Sequence, residues 1–88
     1  MNIVILQKFD KDLDSINNKI IVSSTLKAIE VIMSASRVSE ISNLKKIKGH
    51  KIYFRIKVGT YRIGLKIEKD TVTLIRILPR KDIYKYFP

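Results

Sequence analysis

The sequence contains no cysteine, and His50 is its single histidine. The absence of cysteine excludes a disulfide scaffold and a thiolate metal site, and it suits a reducing compartment. One histidine excludes a multi-histidine metal site within one chain, and a Ser-His-Asp arrangement would depend on His50 alone. Because His50 follows Gly49, we expect it to be a solvated turn residue.

Long hydrophobic runs are also missing. The most apolar stretches are residues 3–6, 20–22 and 72–78, all far shorter than the roughly 20 residues that cross a bilayer. The start Met1-Asn2-Ile3 lacks the positive charge of a secretory signal. A chain of 88 residues is expected to build one hydrophobic core. We therefore expect a single cytoplasmic domain over residues 1–88, with no membrane contact.

Acidic residues are scarce in the second half of the chain. The first forty residues carry five basic and five acidic residues, whereas residues 41–88 carry thirteen basic residues against Glu68, Asp70 and Asp82. The whole net charge of +10 therefore lies in residues 41–88. A concentration of positive charge on a small sheet indicates a polyanion as partner, and nucleic acid is the foremost candidate.

Two strands are predicted in this basic half, at residues 52–58 and 61–67, because apolar and polar side chains alternate strictly along both. Gly59-Thr60 between them fits a two-residue hairpin turn. That turn would place Lys57 opposite Arg62 and Arg55 opposite Gly64. All the charged side chains on one face of the hairpin are then basic, although like charges across a strand pair cost up to about 1 kcal/mol. These are Arg55, Lys57, Arg62 and Lys66.

A third strand is predicted at residues 72–78, with Arg76 free to point to either face because the turn before it is ambiguous. In the first half we expect a strand at residues 3–6 buried on both faces, a helix capped by Asp10, and a longer helix at residues 19–35. The fold class is therefore α+β, with two helices packed on an antiparallel meander and a helical tail. The predicted core residues are Val22, Leu26, Ile29, Phe54, Ile56, Ile63 and Leu65, and the apolar face of the longer helix also includes Met33 and is widened by Ile32.

Residues 44–51 form a lysine-rich segment around Gly49 that leads directly into the first hairpin strand. Such a segment is either an ordinary solvated loop or a set of phosphate contacts, and the sequence supports both interpretations equally. The lysines concerned are Lys45, Lys46, Lys48 and Lys51.

The segment from 44 to 84 resembles the RelE/ParE superfamily of toxins. The resemblance rests on Leu44-Lys45-Lys46-Ile47-Lys48-Gly49, on Tyr53-Phe54-Arg55-Ile56-Lys57-Val58-Gly59-Thr60-Tyr61-Arg62-Ile63, and on Arg80-Lys81-Asp82-Ile83-Tyr84. It implies a RelE-like fold and the toxin of a type II toxin–antitoxin system, partnered by a cognate antitoxin. Two departures are Pro79, where the family often has histidine, and Arg55, where it has lysine.

For members that cleave mRNA on the ribosome, the resemblance implies chemistry without a metal or a cofactor. Lys57 would be the general base, since neighbouring cations favour a neutral amine, and Arg62 would grip the phosphate through two parallel hydrogen bonds. Arg80 would serve the leaving group, and Tyr84 would orient or stack on the RNA, unless it only packs on the core edge. RNA contacts are expected from Arg55, Lys45, Lys46, Lys48, Lys51 and Lys66.

Two other functions remain open from the sequence. ParE-type members share the fold but inhibit DNA gyrase without cutting RNA. A basic binding module or an inactive toxin remnant is the third possibility. The retained basic cluster favours the nuclease.

Overall fold

The computed structural model describes residues 1–88 as one mixed sheet with helices. The strands are β1 (Asn2–Ile5), β2 (Leu44–Lys46), β3 (Tyr53–Val58), β4 (Tyr61–Glu68) and β5 (Thr71–Pro79). The helices are α1 (Gln7–Asp14), α2 (Lys19–Ser34) and α3 (Arg80–Tyr86), and a single 3₁₀ turn spans Val38–Glu40. The sheet order is β1-β5-β4-β3-β2, with β1 parallel to β5 and the other pairs antiparallel. The expected α+β class and the meander are confirmed.

The hairpin register is the one that the turn predicted. Val58 pairs with Tyr61, Lys57 with Arg62, and Arg55 with Gly64. Gly59 adopts a φ of +59°, a left-handed conformation that glycine reaches without a steric penalty. The face of the sheet that bears Arg55, Lys57 and Arg62 is called the outer face below, and the opposite face packs against α2.

The core lies between α2 and the helix face of the sheet. Ile56, Ile63 and Leu65 are fully buried there together with Phe9 from α1 and Ile32 from α2. Val22, Ile29 and Phe54 are partly buried and pack against this core. Most of the predicted core is therefore present, with the exception of Leu26.

The apolar face of α2 is rotated by one residue from the prediction. Ile21, Thr25 and Ile32 are buried, whereas Leu26 is 49% exposed and Met33 is exposed as well. The steps 22, 26, 29, 33 and 21, 25, 28, 32 have the same helical spacing, so periodicity alone could not separate them. Thr25 is tolerated inside because its hydroxyl donates to the carbonyl of Ile21 at 2.8 Å. An alanine at Leu26 should therefore cost well below the about 2–5 kcal/mol of a core truncation.

Two predictions for the N-terminal segment are wrong. The first strand is not buried on both faces: it forms the sheet edge, and Val4, Ile5 and the following Leu6 are exposed. Asp10 does not cap α1, which begins at Gln7 with Leu6 in the capping position, so that Asp10 lies in the first turn. The side-chain cap is found on α2 instead, where the Asn18 Oδ1 accepts from the N–H groups of Ile20 and Ile21. Asparagine there satisfies N–H groups that a helix start leaves free.

Arg76, whose direction the sequence left open, lies on the outer face opposite Gly64. Its guanidinium forms two hydrogen bonds with Asp12 of α1, Nε to Oδ2 at 2.7 Å and Nη2 to Oδ1 at 2.9 Å. Asp12 Oδ2 also accepts from the Ile77 N–H at 3.1 Å. Because β1 pairs with β5 only as far as Leu74, Asp12 takes over a backbone donor that β1 no longer reaches. The hydrogen bond that Arg76 donates to Asp12 raises the pKa of Arg76 above its usual value, and the negative charge of Asp12 raises it further.

The C-terminal tail covers the middle of the outer face. Ile83 of α3 and the following Phe87 are buried. The Phe87 ring lies where a side chain on residue 64 would project, since a Cβ built on Gly64 would come within 2.6 Å of ring atoms. Phe87 also meets the Tyr53 ring edge-on at 5.6 Å. None of the helices combines the length and apolar composition that crossing a membrane requires.

Candidate nucleic-acid interface

Three neighbouring strands bring basic side chains into adjacent rows on the outer face. On the hairpin, Lys57 stands opposite Arg62. On the other side of β3, Lys45 of β2 pairs with Arg55. Since directly paired residues point to the same side of a sheet, Lys45, Arg55, Lys57 and Arg62 share one face.

The start of α3 adds two further residues beside the hairpin turn. Pro79 at the end of β5 pairs with Tyr61, and the Arg80 N–H donates to the Thr60 carbonyl at 2.9 Å. Arg80 and Tyr84 are four positions apart on α3, so they lie on the same side of the helix. Tyr84 is 54% exposed, so it is not packed into the core edge.

These elements surround two adjoining depressions, of about 890 Å³ and about 300 Å³. Both depressions are lined by Lys57, Arg62, Arg80 and Tyr84, the four residues expected to carry catalysis. We call the combined surface the basic cleft. It contains six cationic side chains and no acidic residue. Its charged members are Lys45, Arg55, Lys57, Arg62, Arg80 and Lys81.

Arg62 is the most buried of these cations, at 7% exposure. Its Nη1 donates to the Gly59 carbonyl at 2.9 Å and to the Tyr61 carbonyl at 2.8 Å. Its Nε is buried and has no hydrogen-bond partner. Because Nη1 is engaged and Nε is covered, Arg62 does not present the two parallel donors that the sequence analysis expected. It lies in the wall of the cleft as a fixed positive charge.

Four of the expected RNA contacts are not part of the basic cleft. Lys46 pairs with Phe54, which places it on the opposite face of the sheet from Lys45. Lys48 and Lys51 are exposed in the loop before β3. Lys66 shares the outer face but lies beyond Phe87 from Arg62, and its Nζ is 3.5 Å from Glu68 Oε1. His50, in the same loop, is exposed with its ring edge-on to Tyr53.

The cleft residues that were missing from the expected site include Lys81 and Asn43. Lys81 follows Arg80 directly, so the basic pair at the start of α3 could have indicated it. Asn43 lines the smaller depression and has a φ of +61°, a backbone conformation that asparagine tolerates better than most residues. The Ser42-Asn43 pair before β2 is a turn signal, but that signal carries no information about a binding role. No three histidine, aspartate or glutamate side chains come together as a metal site would require.

Solved structures with this architecture define the class of the protein. A chain of the RelB–RelE antitoxin–toxin complex from Methanococcus jannaschii superimposes with a TM-score of 0.82 at 36% identity, covering 97% of this chain and 99% of that one. A chain of the archaeal RelE–RelB complex from Pyrococcus horikoshii OT3 gives a TM-score of 0.72 at 18% identity, with 90% and 93% covered. At that lower identity the likeness shows the fold alone. The fold is RelE-like.

The sequence comparisons identify the family. Residues 3–84 match the family model described as the ParE toxin of type II toxin-antitoxin system, parDE. Toxin RelE3 of Methanocaldococcus jannaschii is 39% identical over 93 residues, with 100% of both chains covered. The chain therefore belongs to the ParE toxin family of type II toxin–antitoxin systems.

Proposed function

We propose that the protein is a toxin that cleaves mRNA in the ribosome, by attack of a ribose 2′-OH on the adjacent phosphate. One observation carries this proposal. Lys57, Arg62, Arg80 and Tyr84 line both depressions of a cleft that holds six cations and no carboxylate. Such a surface attracts a polyanion over its whole length. It also supplies the groups that a phosphodiester transfer needs.

Lys57 is proposed as the general base because it is exposed in the centre of the cleft. Its amine takes the 2′-OH proton while the 2′-oxygen bonds to phosphorus. The bond from phosphorus to the 5′-oxygen breaks, leaving a 2′,3′-cyclic phosphate and a 5′-OH. Arg80 either donates a proton to the departing 5′-oxygen or balances its charge while a water molecule donates that proton, and the high pKa of a guanidinium favours the second route. Tyr84, four residues further on α3, stacks on a base or orients the ribose.

Arg62 is proposed to act by its charge from the cleft wall, rather than as a bidentate clamp. Its position is fixed by the two bonds from Nη1 to the turn carbonyls, so it does not need to reorganise as negative charge develops on the phosphate. Preorganised charge of this kind is worth about 3–4 kcal/mol in the transition state. Arg55, Lys45 and Lys81 would hold neighbouring phosphates.

A cognate antitoxin is proposed as the protein partner, and the cytoplasm as the compartment. The support for the partner is the 36%-identical structure, which is a complex of a toxin with an antitoxin. With a net charge of +10, the chain favours an acidic or amphipathic segment as its cover. Such a segment would contact the basic cleft, the exposed apolar residues of α2, or both.

The proposal is tested by single-turnover cleavage of mRNA on programmed ribosomes. Lys57→Ala should slow cleavage by about 10²–10⁴-fold, and Arg62→Ala by about 10²–10³-fold, with smaller effects on ribosome binding. Lys8→Ala and Arg37→Ala remove exposed cations that do not line the cleft and should cut as fast as wild type. Because Arg62 also donates hydrogen bonds to carbonyls of the hairpin turn, its loss could destabilise the fold. A thermal unfolding curve must therefore show that the Arg62→Ala variant is folded at the assay temperature.

Inhibition of DNA gyrase is the second candidate, favoured by the match to the ParE family model. A supercoiling assay run in parallel separates the two functions. Intact mRNA together with blocked supercoiling would establish the gyrase inhibitor. Intact mRNA with unaffected supercoiling would leave a binding module or an inactive toxin.

A further inference from the structure

Asn43 is the one residue of the basic cleft whose side chain presents an amide. The larger depression also contains Thr60, but the charged members around Asn43 are lysines and arginines, which only donate hydrogen bonds. Asn43 is exposed, and its amide makes no hydrogen bond with any other residue of the chain. The side-chain NH₂ and C=O of Asn43 are therefore both free to bind a ligand, and the charged side chains around them are all cationic.

The position of Asn43 relative to the chemistry follows from the strand register. Leu44 pairs with Ile56, so Asn43 is the residue that leaves β2 next to Lys57. Its backbone is left-handed, with a φ of +61°, and β3 has no β2 partner beyond Ile56. A cavity of about 310 Å³ lies around this edge, between β3 and α2, and Asn43 and Lys57 line both this cavity and the basic cleft.

The cavity has the composition of a site for a flat, partly polar group. Its floor is apolar, from Ile56, Val58 and Val31, and hydroxyl groups stand at Ser24 and Ser42. The volume is at the lower end of the range for small-ligand pockets. Because Lys57 lines both the cavity and the cleft, the base of a nucleotide whose phosphate is bound near Lys57 could enter this cavity.

We infer that Asn43 reads the base of a nucleotide next to the scissile bond and prefers adenine. This inference rests on the proposed cleavage function. An asparagine amide pairs with adenine through two hydrogen bonds, accepting from the N6 amino group and donating to N7. Guanine presents two acceptors on the same edge, which suit the lysines and arginines of the cleft but not an amide.

The competing explanation is that asparagine is present only because residue 43 needs a left-handed backbone. Asn43→Gly separates the two, since glycine adopts that backbone freely but has no amide. Asn43→Asp keeps the size and the backbone tolerance and replaces the amide by a carboxylate, which accepts from cytosine N4. Asn17→Gly, at another exposed asparagine between α1 and α2, is the matched control.

The experiment maps cleavage on programmed ribosomes carrying a library of A-site codons. Wild type and Asn17→Gly should favour sites with adenine at one position by about 5- to 100-fold over the other bases. Asn43→Gly should lose this preference, and Asn43→Asp should shift it toward cytosine. An unchanged base preference in Asn43→Gly, or a wild type without a preference for adenine, would overturn the inference.

A second measurement distinguishes failure of the proposed cleavage function from failure of the base-reading role of Asn43. Fluorescence anisotropy with short adenine-rich and uracil-rich RNA gives the affinity ratio for wild type and Asn43→Gly without any cleavage. If wild type does not cleave mRNA but binds adenine-rich RNA more tightly, and Asn43→Gly lacks this binding preference, the cleavage function is overturned and the base-reading role of Asn43 stands. Equal ratios for the two proteins would overturn the reading role whether or not wild type cleaves.

Discussion

Arg76 and Arg62 are both largely buried on the outer face, and they differ in what balances their charge. Arg76 is paired with Asp12 through two hydrogen bonds, and the Tyr86 ring lies 5.7 Å from its Cζ. Arg62 contacts only backbone carbonyls, and no carboxylate lies within salt-bridge distance of it. The positive charge of Arg76 is balanced by a carboxylate of the same chain, whereas the positive charge of Arg62 is not.

The contrast divides the outer face into a structural part and a part suited to binding. An ion pair between two partly buried groups holds α1 against β5, and its charge is not available to a ligand. A buried cation without a counter-ion costs solvation energy, and the cost is recovered when an anion binds beside it. The basic half of the sequence is therefore not one uniform surface.

The largest effect is expected from breaking the paired arginine. Asp12→Ala leaves the Arg76 charge and the Ile77 N–H without their partner, and the Asp12 side chain is only 12% exposed. Removing one member of a buried pair typically costs about 3–5 kcal/mol. The free energy of unfolding from urea titration measures this loss.

Asp14→Ala is the matched control, because Asp14 is an exposed aspartate on the same helix and should change stability by less than about 0.5 kcal/mol. Asp12→Asn keeps an acceptor for Ile77 and loses the charge, so it should fall between the two. Equal stability of Asp12→Ala and Asp14→Ala would mean that Arg76 is no better balanced than Arg62.

A smaller effect is expected where the tail separates the two parts. Gly64→Ala adds a Cβ within 2.6 Å of the Phe87 ring, and crowding of this kind typically costs about 1–3 kcal/mol. Relief is possible only if the ring moves off the sheet. Unfolding of Gly64→Ala, Phe87→Ala and the double variant measures the coupling. Additive losses in the double variant would show that the tail does not pack on Gly64 in solution.

The sequence predicted the hairpin closely because alternation and the Gly59-Thr60 turn act over short distances. Every predicted pair from Arg55–Gly64 to Val58–Tyr61 is present. The helices were harder, since the apolar residues of α2 fit two faces and only packing against the sheet selects Ile21 over Leu26. The pairing of Arg76 with Asp12 could not be predicted from local sequence patterns, because the two residues are 64 positions apart in the chain.

In the candidate site too, features set by local sequence were predictable and features set by tertiary packing were not. The resemblance named the four residues that the fold brings together, since they lie on the hairpin and at the strand end that pairs beside it. Lys46 was included as part of the lysine-rich segment, without knowledge of the position of β2, and Lys66 was included as part of the hairpin face, without knowledge of the tail. The burial of Arg62 and the exposure of Asn43 depend on side-chain packing and on one left-handed residue, neither of which a charge pattern specifies.

The smallest expected effect distinguishes lysines inside and outside the basic cleft. Lys45 lines the cleft, whereas Lys66 lies beyond Phe87 and is 3.5 Å from Glu68. RNA binding should weaken steeply with salt, because each neutralised phosphate of a single strand contributes about −0.7 to the slope of log K against log salt. Lys45→Ala should therefore make the slope shallower by about 0.7, while Lys66→Ala should leave it unchanged. Anisotropy titrations of single-stranded RNA at several salt concentrations give both slopes. Equal changes in the two variants would extend the binding surface past Phe87, and a flat slope in wild type would remove phosphate contact from the outer face altogether.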